Sequence, residues 1–189
     1  MSVLYRIDES DHLIAIGGEW NSFATANDAP ELAEGGLLGH SLWSFVSGIE
    51  TRHLYELALK RVRTRQIAMT FPYRCDSPDR RRYCELDLRP GVRNEIEFES
   101  RILREVSRSK VELLDRRAPR SDELIRMCAW CSRVRRPDTL WVDVEEALRS
   151  MELLNGDEVP KVTHGICPDC QSAVFEELGA AEYYGEMRA

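Results

Sequence analysis

From Ile67 to Ile102 the chain reads IAMTFPYRC-DSPDR-RRYCELDL-RPGVRNE-IEFESRI. Apolar and polar residues alternate in the three apolar blocks. Met69, Phe71 and Tyr73 share one side, and so do Cys84, Leu86 and Leu88; Ile96, Phe98 and Ser100 oppose Glu95, Glu97 and Glu99. A period of two is the pattern of a strand with one buried face. Asp76-Ser-Pro-Asp-Arg80 is rich in turn formers. Three strands are therefore expected, over 67–75, 83–88 and 96–102.

Upstream, Val3–Ile7 and Leu13–Ile16 are short apolar runs joined by Asp8-Glu-Ser-Asp11, whose side chains suit a hairpin turn. Trp20, Phe23 and Ala24 recur at the helical spacing i, i+3, i+4. Residues 28–39, with Pro30, Gly35, Gly36 and Gly39, read as a loop. Ser41 is placed to cap a helical turn, and Thr51 to cap a longer helix carrying Leu54, Tyr55, Leu57, Ala58 and Val62. Strands, helices, then three strands predict an α+β domain over 1–106: a five-stranded antiparallel sheet with helices on one face. With this order, Tyr5-Arg-Ile-Asp8 and Leu38-Gly-His-Ser-Leu-Trp-Ser-Phe45, residues 3–106 resemble a PAS domain.

The resemblance implies a sensory domain that often encloses a small ligand between sheet and helices, and it makes a homodimer a candidate assembly. Trp20, Phe23, Trp43, Phe45, Phe71 and Phe98 are the candidate pocket residues, or simply hydrophobic core. A flavin photosensor of this kind needs a cysteine in the helix after Gly39. Residues 40–49 contain none, so flavin is disfavoured. Haem needs an axial ligand, and His40 and His53 are the placed candidates; a lone histidine there is more often a surface or capping residue, so haem is disfavoured too. Cys75 and Cys84 read as small apolar side chains flanking a turn.

Downstream, residues 107–126 form a charged connector, helical at most to Arg117 because Pro119 stops continuation. Residues 127–189 then carry Cys128-Ala-Trp-Cys131 and Cys167-Pro-Asp-Cys170. Each CxxC turn brings two sulfurs to one ion, and two turns complete the tetrahedron of structural Zn²⁺. Iron accepts the same donors. The long interval between the pairs costs little in loop entropy. It holds a helical stripe of Trp141, Val144, Leu148 and Met151, so a small helical zinc module is expected. His164 is a candidate second-rank donor or alternative ligand. Met127–Val134, Trp141 and His164–Cys170 resemble a cysteine-rich tail found behind sensor and receiver domains of bacterial signalling proteins, which implies an interaction module and not catalysis.

The net charge of −7 hides a division. Residues 60–139 hold 21 bases against 13 acids, while residues 1–59 and 140–189 are strongly acidic. Arg74, Arg80, Arg81 and Arg82 could grip a carboxylate or phosphate, or pair with the acidic C-terminal segment. Acidic flanks disfavour nucleic acid. No run of about 18 apolar residues suggests a membrane span, and the acidic N-terminus resembles no secretion signal. A cytoplasmic location with reduced cysteines is expected. Neither a phosphate loop nor a nucleophile elbow occurs. The expectation is a non-catalytic signalling sensor or adaptor with a protein partner; the alternatives are a zinc-module transcription regulator, using Arg133, Arg135, Arg136 and the Arg80–Arg82 run on DNA, or a thiol-based redox switch using Cys128 and Cys131.

Overall fold

In the computed structural model, which describes residues 1–33, 36–151, 153 and 158–179, the three alternating blocks pair as their periodicity requires. Strands β3 (Met69–Arg74), β4 (Arg80–Pro90) and β5 (Ile96–Ser107) run antiparallel, with Met69 opposite Leu88, Phe71 opposite Leu86, and Leu88 opposite Phe98. The N-terminal hairpin supplies β1 (Ser2–Ile7) and β2 (Leu13–Gly18), and β1 pairs with β5. The result is a five-stranded antiparallel sheet in the order β2-β1-β5-β4-β3. Asp8 closes the hairpin by accepting from the backbone N–H groups of Ser10 and His12, both at 2.9 Å. That use of a short acidic side chain is what favours Asp in turns.

Two helices pack on the sheet: α1 (Trp20–Ala26) and α2 (Ile49–Arg65). Helix α2 buries Leu54, Ala58, Leu59 and Val62, one stripe at helical spacing. They join Ile7, Phe71, Leu88, Ile96 and Phe98 in the core. Ser41 caps a single 3₁₀ turn, Leu42–Ser44, by accepting from the Trp43 N–H. Thr51 does not cap α2. The helix begins two residues earlier, after Gly48, and Thr51 lies buried in its first turn.

The second half departs further from expectation. The charged connector contains a 3₁₀ turn, Glu112–Leu114, and a strand, β6 (Arg120–Cys128), where neither was foreseen. The tail is not simply helical. Strands β6, β7 (Val134–Arg135), β8 (Trp141–Val142) and β9 (Val159–Gly165) form a four-stranded sheet in the order β8-β7-β6-β9, with β6 and β9 parallel. Helix α3 (Val144–Ser150) buries Val144, Ala147 and Leu148 against Val111, Leu113, Ile125 and Val134, and Trp141 stands in β8 instead of on the helix. Helix α4 (Pro168–Glu177) follows β9. Residues 34 and 35 of the loop expected over 28–39, and residues 152, 154–157 and 180–189 of the tail expected over 127–189, lie outside the described residues.

The halves share a core. Cys128, Trp130, Ile166, Cys167, Val174, Phe175 and Leu178 belong to the same buried cluster as Leu54, Leu59 and Phe71. The start of α2 meets β9 closely: a Cβ on Gly48, whose φ is +89°, would lie 2.8 Å from the His164 carbonyl oxygen. Both the positive φ and this approach demand glycine. Gly48→Ala is expected to lower unfolding stability by about 1–3 kcal/mol, read as a lower urea midpoint. An unchanged midpoint would mean that the junction yields without strain.

Candidate metal centre

Strand β6 delivers Cys128 to its end, and the chain reverses there. The Cys128 N–H donates to the Arg133 carbonyl (2.7 Å), the Ser132 N–H to the Cys128 carbonyl (3.0 Å), and Ser132 takes a left-handed φ of 60°. Strand β9 ends just before Cys167, which is the N-cap of α4 and is followed by Pro168 at the first helical position. Proline is well suited there because its missing N–H has no intrahelical partner to lose. The parallel pairing of β6 and β9 sets Cys128 opposite Gly165, so both reversals end side by side. Two CxxC turns far apart in sequence thus face each other.

One sulfur from each of Cys128, Cys131, Cys167 and Cys170 lies within 4.8 Å of every other. The Cys131 and Cys167 sulfurs are 3.7 Å apart. A tetrahedral ion with metal–sulfur bonds of about 2.3 Å spaces its ligands about 3.8 Å apart. The donor set therefore fits a metal ion in closed, four-thiolate coordination. Backbone donors point at the same atoms: the Cys167 N–H lies 3.4 Å from the Cys128 sulfur, and the Cys170 N–H 3.5 Å from the Cys167 sulfur. Such bonds favour thiolate over thiol. Cys128 is 1% exposed and Cys167 fully buried, whereas Cys131 and Cys170 are partly exposed. Hydrogen bonds from Cys131, Cys167 and Cys170 hold the Cys128 thiol far below the ordinary cysteine range. His164 is not in the sulfur cluster; it stands exposed on β9.

The metal turn closes an edge of the first sheet. Strand β3 is an edge strand, and its Arg74 N–H donates at 2.8 Å to the carbonyl of Trp130, the residue just before Cys131. The Trp130 ring packs edge-on to Phe71 at 6.0 Å and tilted to Tyr55 at 5.7 Å. An ionic network lies beside it. Asp76, its side chain 1% exposed, pairs with Arg74 and Arg108 and accepts from the Arg82 N–H. Arg74 continues to Asp143 (2.9 Å), while Arg81 and Arg108 reach Glu145 on α3 (2.7 and 3.1 Å). Burial works against the Arg74 charge, but Asp76 and Asp143 outweigh it and hold the guanidinium firmly protonated.

The arginines singled out in the sequence are thus engaged internally. Arg74 and Arg81 turn to the acidic 140–189 segment; Arg80 pairs with Asp79 and Glu105, and Arg82 with Glu105 and the Asn27 side chain. The six aromatic pocket candidates do not converge. Trp20 and Phe23 line an apolar cavity of about 260 Å³ together with Tyr5, Tyr55 and Tyr73. Phe98 is core, stacked on Tyr5 at 4.4 Å, and Phe71 is core against Trp130. Trp43 donates to Asp11 and lies under Arg52, and Phe45 is 44% exposed.

His40 is exposed, edge-on to Phe45, and His53 is half-buried on α2; neither lines this cavity. Cys75 and Cys84 both do. Burial pushes the Cys84 thiol up to about 11 and raises Cys75 as well, so neither is a ready thiolate.

Sequence reasoning passed over Asp76, Arg108 and Trp130. The signal for Trp130 was present, since a large apolar residue inside a CxxC turn has to be covered by something. For the buried ions there was none, because Asp and Arg in a turn-rich segment read as surface. Compared with known proteins, the chain matches no family model and no curated protein sequence. No helix among the described residues is long and apolar enough to cross a membrane.

Proposed function

We propose that this chain is a non-catalytic, cytoplasmic signalling sensor or adaptor, in which a PAS-like N-terminal half responds to a ligand or partner. A single Zn²⁺, held by Cys128, Cys131, Cys167 and Cys170, fixes the shape of the C-terminal half that engages a partner protein. The observation that carries this reading is the closed set of four sulfurs, within 4.8 Å of one another and seated in the core shared by both halves. Four thiolates leave a tetrahedral ion no open position for substrate, which favours a structural over a catalytic metal. The α+β order and five-stranded sheet support the PAS-like assignment. The apolar cavity beside Trp20 and Phe23 supplies a place for a sensed ligand.

The two alternatives fare less well on the same observations. For DNA binding, Arg80, Arg81, Arg82, Arg133 and Arg136 would have to leave acidic partners. For a dithiol redox pair, Cys128 and Cys131 would have to act apart from Cys167 and Cys170, although all four sulfurs form one cluster.

Elemental analysis and an absorption spectrum of freshly purified protein test the proposal. One zinc per chain with no visible band is expected. Visible sulfur-to-iron bands would replace zinc by iron, and a band near 400 nm would bring haem forward. Metal-free, readily alkylated thiols would overturn the structural role in favour of the redox switch.

A further inference from the structure

Three tyrosines line the apolar cavity of about 260 Å³ in the N-terminal half: Tyr5 on β1, Tyr55 on α2 and Tyr73 on β3. Tyr5 is fixed there by stacking on Phe98 at 4.4 Å and by meeting Trp20 edge-on at 5.8 Å. Most polar side chains of the lining are committed. The Trp20 indole N–H donates to the Leu32 carbonyl (2.6 Å). The Asn27 amide donates to the Phe23 carbonyl (2.8 Å), and its oxygen accepts from Arg82 (2.8 Å). The Tyr73 and Ser100 hydroxyls bond each other, and Tyr73 also bonds the Cys84 thiol. Two hydroxyls remain. Tyr5 and Tyr55 make no hydrogen bond to another described residue. Neither oxygen is sealed off, for the enclosed, unpaired side-chain atoms among the described residues belong to Thr51, Arg61, Arg108 and Ser121. Both phenol oxygens are therefore reachable and uncommitted.

The lining decides what kind of molecule fits. None of its side chains carries a charge. Met1 also lines it, and its ammonium pairs with Glu19 (3.7 Å). The Arg82 guanidinium, over the Phe23 ring at 5.6 Å, pairs with Glu105 (2.7 Å). An ion of either sign would lose its water and gain no opposite charge, which costs far more than burying a neutral polar group. Aromatic faces attract cations, but that attraction is weaker than a missing counter-charge, and Arg82 already takes the Phe23 ring. A neutral ligand is what remains. Burial raises the Tyr5 phenol and pushes Tyr55 up to about 12, so both keep a proton to donate. A ligand with N–H or O–H groups would find only thiols and phenol oxygens among the lining side chains, because the Asn27 and Ser100 oxygens are engaged. A carbonyl accepts two hydrogen bonds and donates none. Aromatic walls favour a flat ring, and the volume lies below the roughly 300 Å³ of sites for drug-sized ligands. One ring with a short substituent suits it.

We propose that this cavity binds a small, uncharged aromatic carbonyl compound, its ring packed among Tyr5, Trp20 and Phe23 and its oxygen accepting from the Tyr5 and Tyr55 hydroxyls. The assignment rests on the reading of the N-terminal half as the ligand-responsive part, and gives that half a ligand class.

The full, metal-loaded chain is titrated by calorimetry with four single-ring probes of similar size: acetophenone, toluene, benzoate and benzylammonium. Acetophenone should bind saturably and about tenfold tighter than toluene, the worth of one or two hydrogen bonds, and the two ions should bind at least tenfold more weakly than acetophenone. The carbonyl stretching band of bound acetophenone should move to lower wavenumber than in an apolar solvent. Tyr5→Phe should weaken acetophenone about tenfold and return the band towards its unbonded position, with toluene binding unchanged. The substitution removes an unpaired hydroxyl and keeps the stacked ring, and Tyr55→Phe makes the same comparison at the second donor. Toluene or either ion binding as tightly as acetophenone would overturn the ligand class and leave the sensor reading standing. Equal acetophenone affinity in the parent, Tyr5→Phe and Tyr55→Phe would overturn the proposal as well. Saturable binding by none of the four overturns it together with the cavity as the place of a sensed ligand.

Discussion

Cys128→Ser is expected to unfold far more than the tail. Its sulfur is buried, and Cys128 packs in the same cluster as Leu54, Leu59, Phe71 and Trp130. In small zinc modules the metal contributes about 10–16 kcal/mol of apparent folding free energy. A whole domain is typically stable by only about 5–15 kcal/mol. Loss of the ion therefore threatens the entire balance. The Trp130 turn would also release the β3 edge, freeing the Arg74 N–H. The variant should lose metal, lose near-ultraviolet circular dichroism from both halves, and melt in one broad transition at much lower temperature. Stripping the parent with a chelator should do the same. A variant or stripped protein that keeps the N-terminal melting transition within a few degrees would show that the halves fold independently, and would sink this account of the shared core.

Asp76→Asn is expected to be strongly destabilising although it lies outside the sulfur cluster. The change keeps size and shape but removes the charge between two nearly buried guanidinium groups, those of Arg74 and Arg108. Breaking a buried ion pair from one side costs about 3–5 kcal/mol, because the remaining charge keeps its desolvation penalty. Exposed pairs behave differently. Arg80, which pairs with Asp79 and Glu105 at the surface, should cost about 0–1 kcal/mol when truncated to alanine. Urea titration of both variants provides the comparison. Similar midpoints for Asp76→Asn and Arg80→Ala would mean that the buried network is solvated in practice.

Both results bear on how the two halves are joined. The Asp76 network reaches Asp143 and Glu145, and the metal turn reaches Arg74 from the other side. The β3–β4 hairpin is held between them.

Much of this was legible in the chain itself. The alternation through Met69–Tyr73, Cys84–Leu88 and Ile96–Ser100 appears as cross-strand neighbours in the sheet, because period-two burial is imposed by pleating and needs no knowledge of distant partners. The short helix Trp20–Ala26 follows from its apolar spacing. Strands β6 and β9 were hidden for the opposite reason. Arg120–Cys128 and Val159–Gly165 are charged or interrupted sequences, and each becomes a strand by pairing with the other in parallel across a long interval. Pairing of that kind leaves no local period to read. Thr51 misled because a hydroxyl before an apolar stripe is the usual cap, yet the helix already starts after Gly48, whose N-cap position carries no side-chain bond.

By itself the amino-acid order determined which surfaces seek burial and which four sulfurs can meet on one cation, since alternation and CxxC spacing are short-range properties of any chain. Only the three-dimensional packing decided that the sulfurs lie inside the main core, that a carboxylate in a turn is buried between two arginines, and that one threonine hydroxyl is left without a partner. Those outcomes depend on residues far apart in the chain competing for the same enclosed space, and no local pattern records who wins.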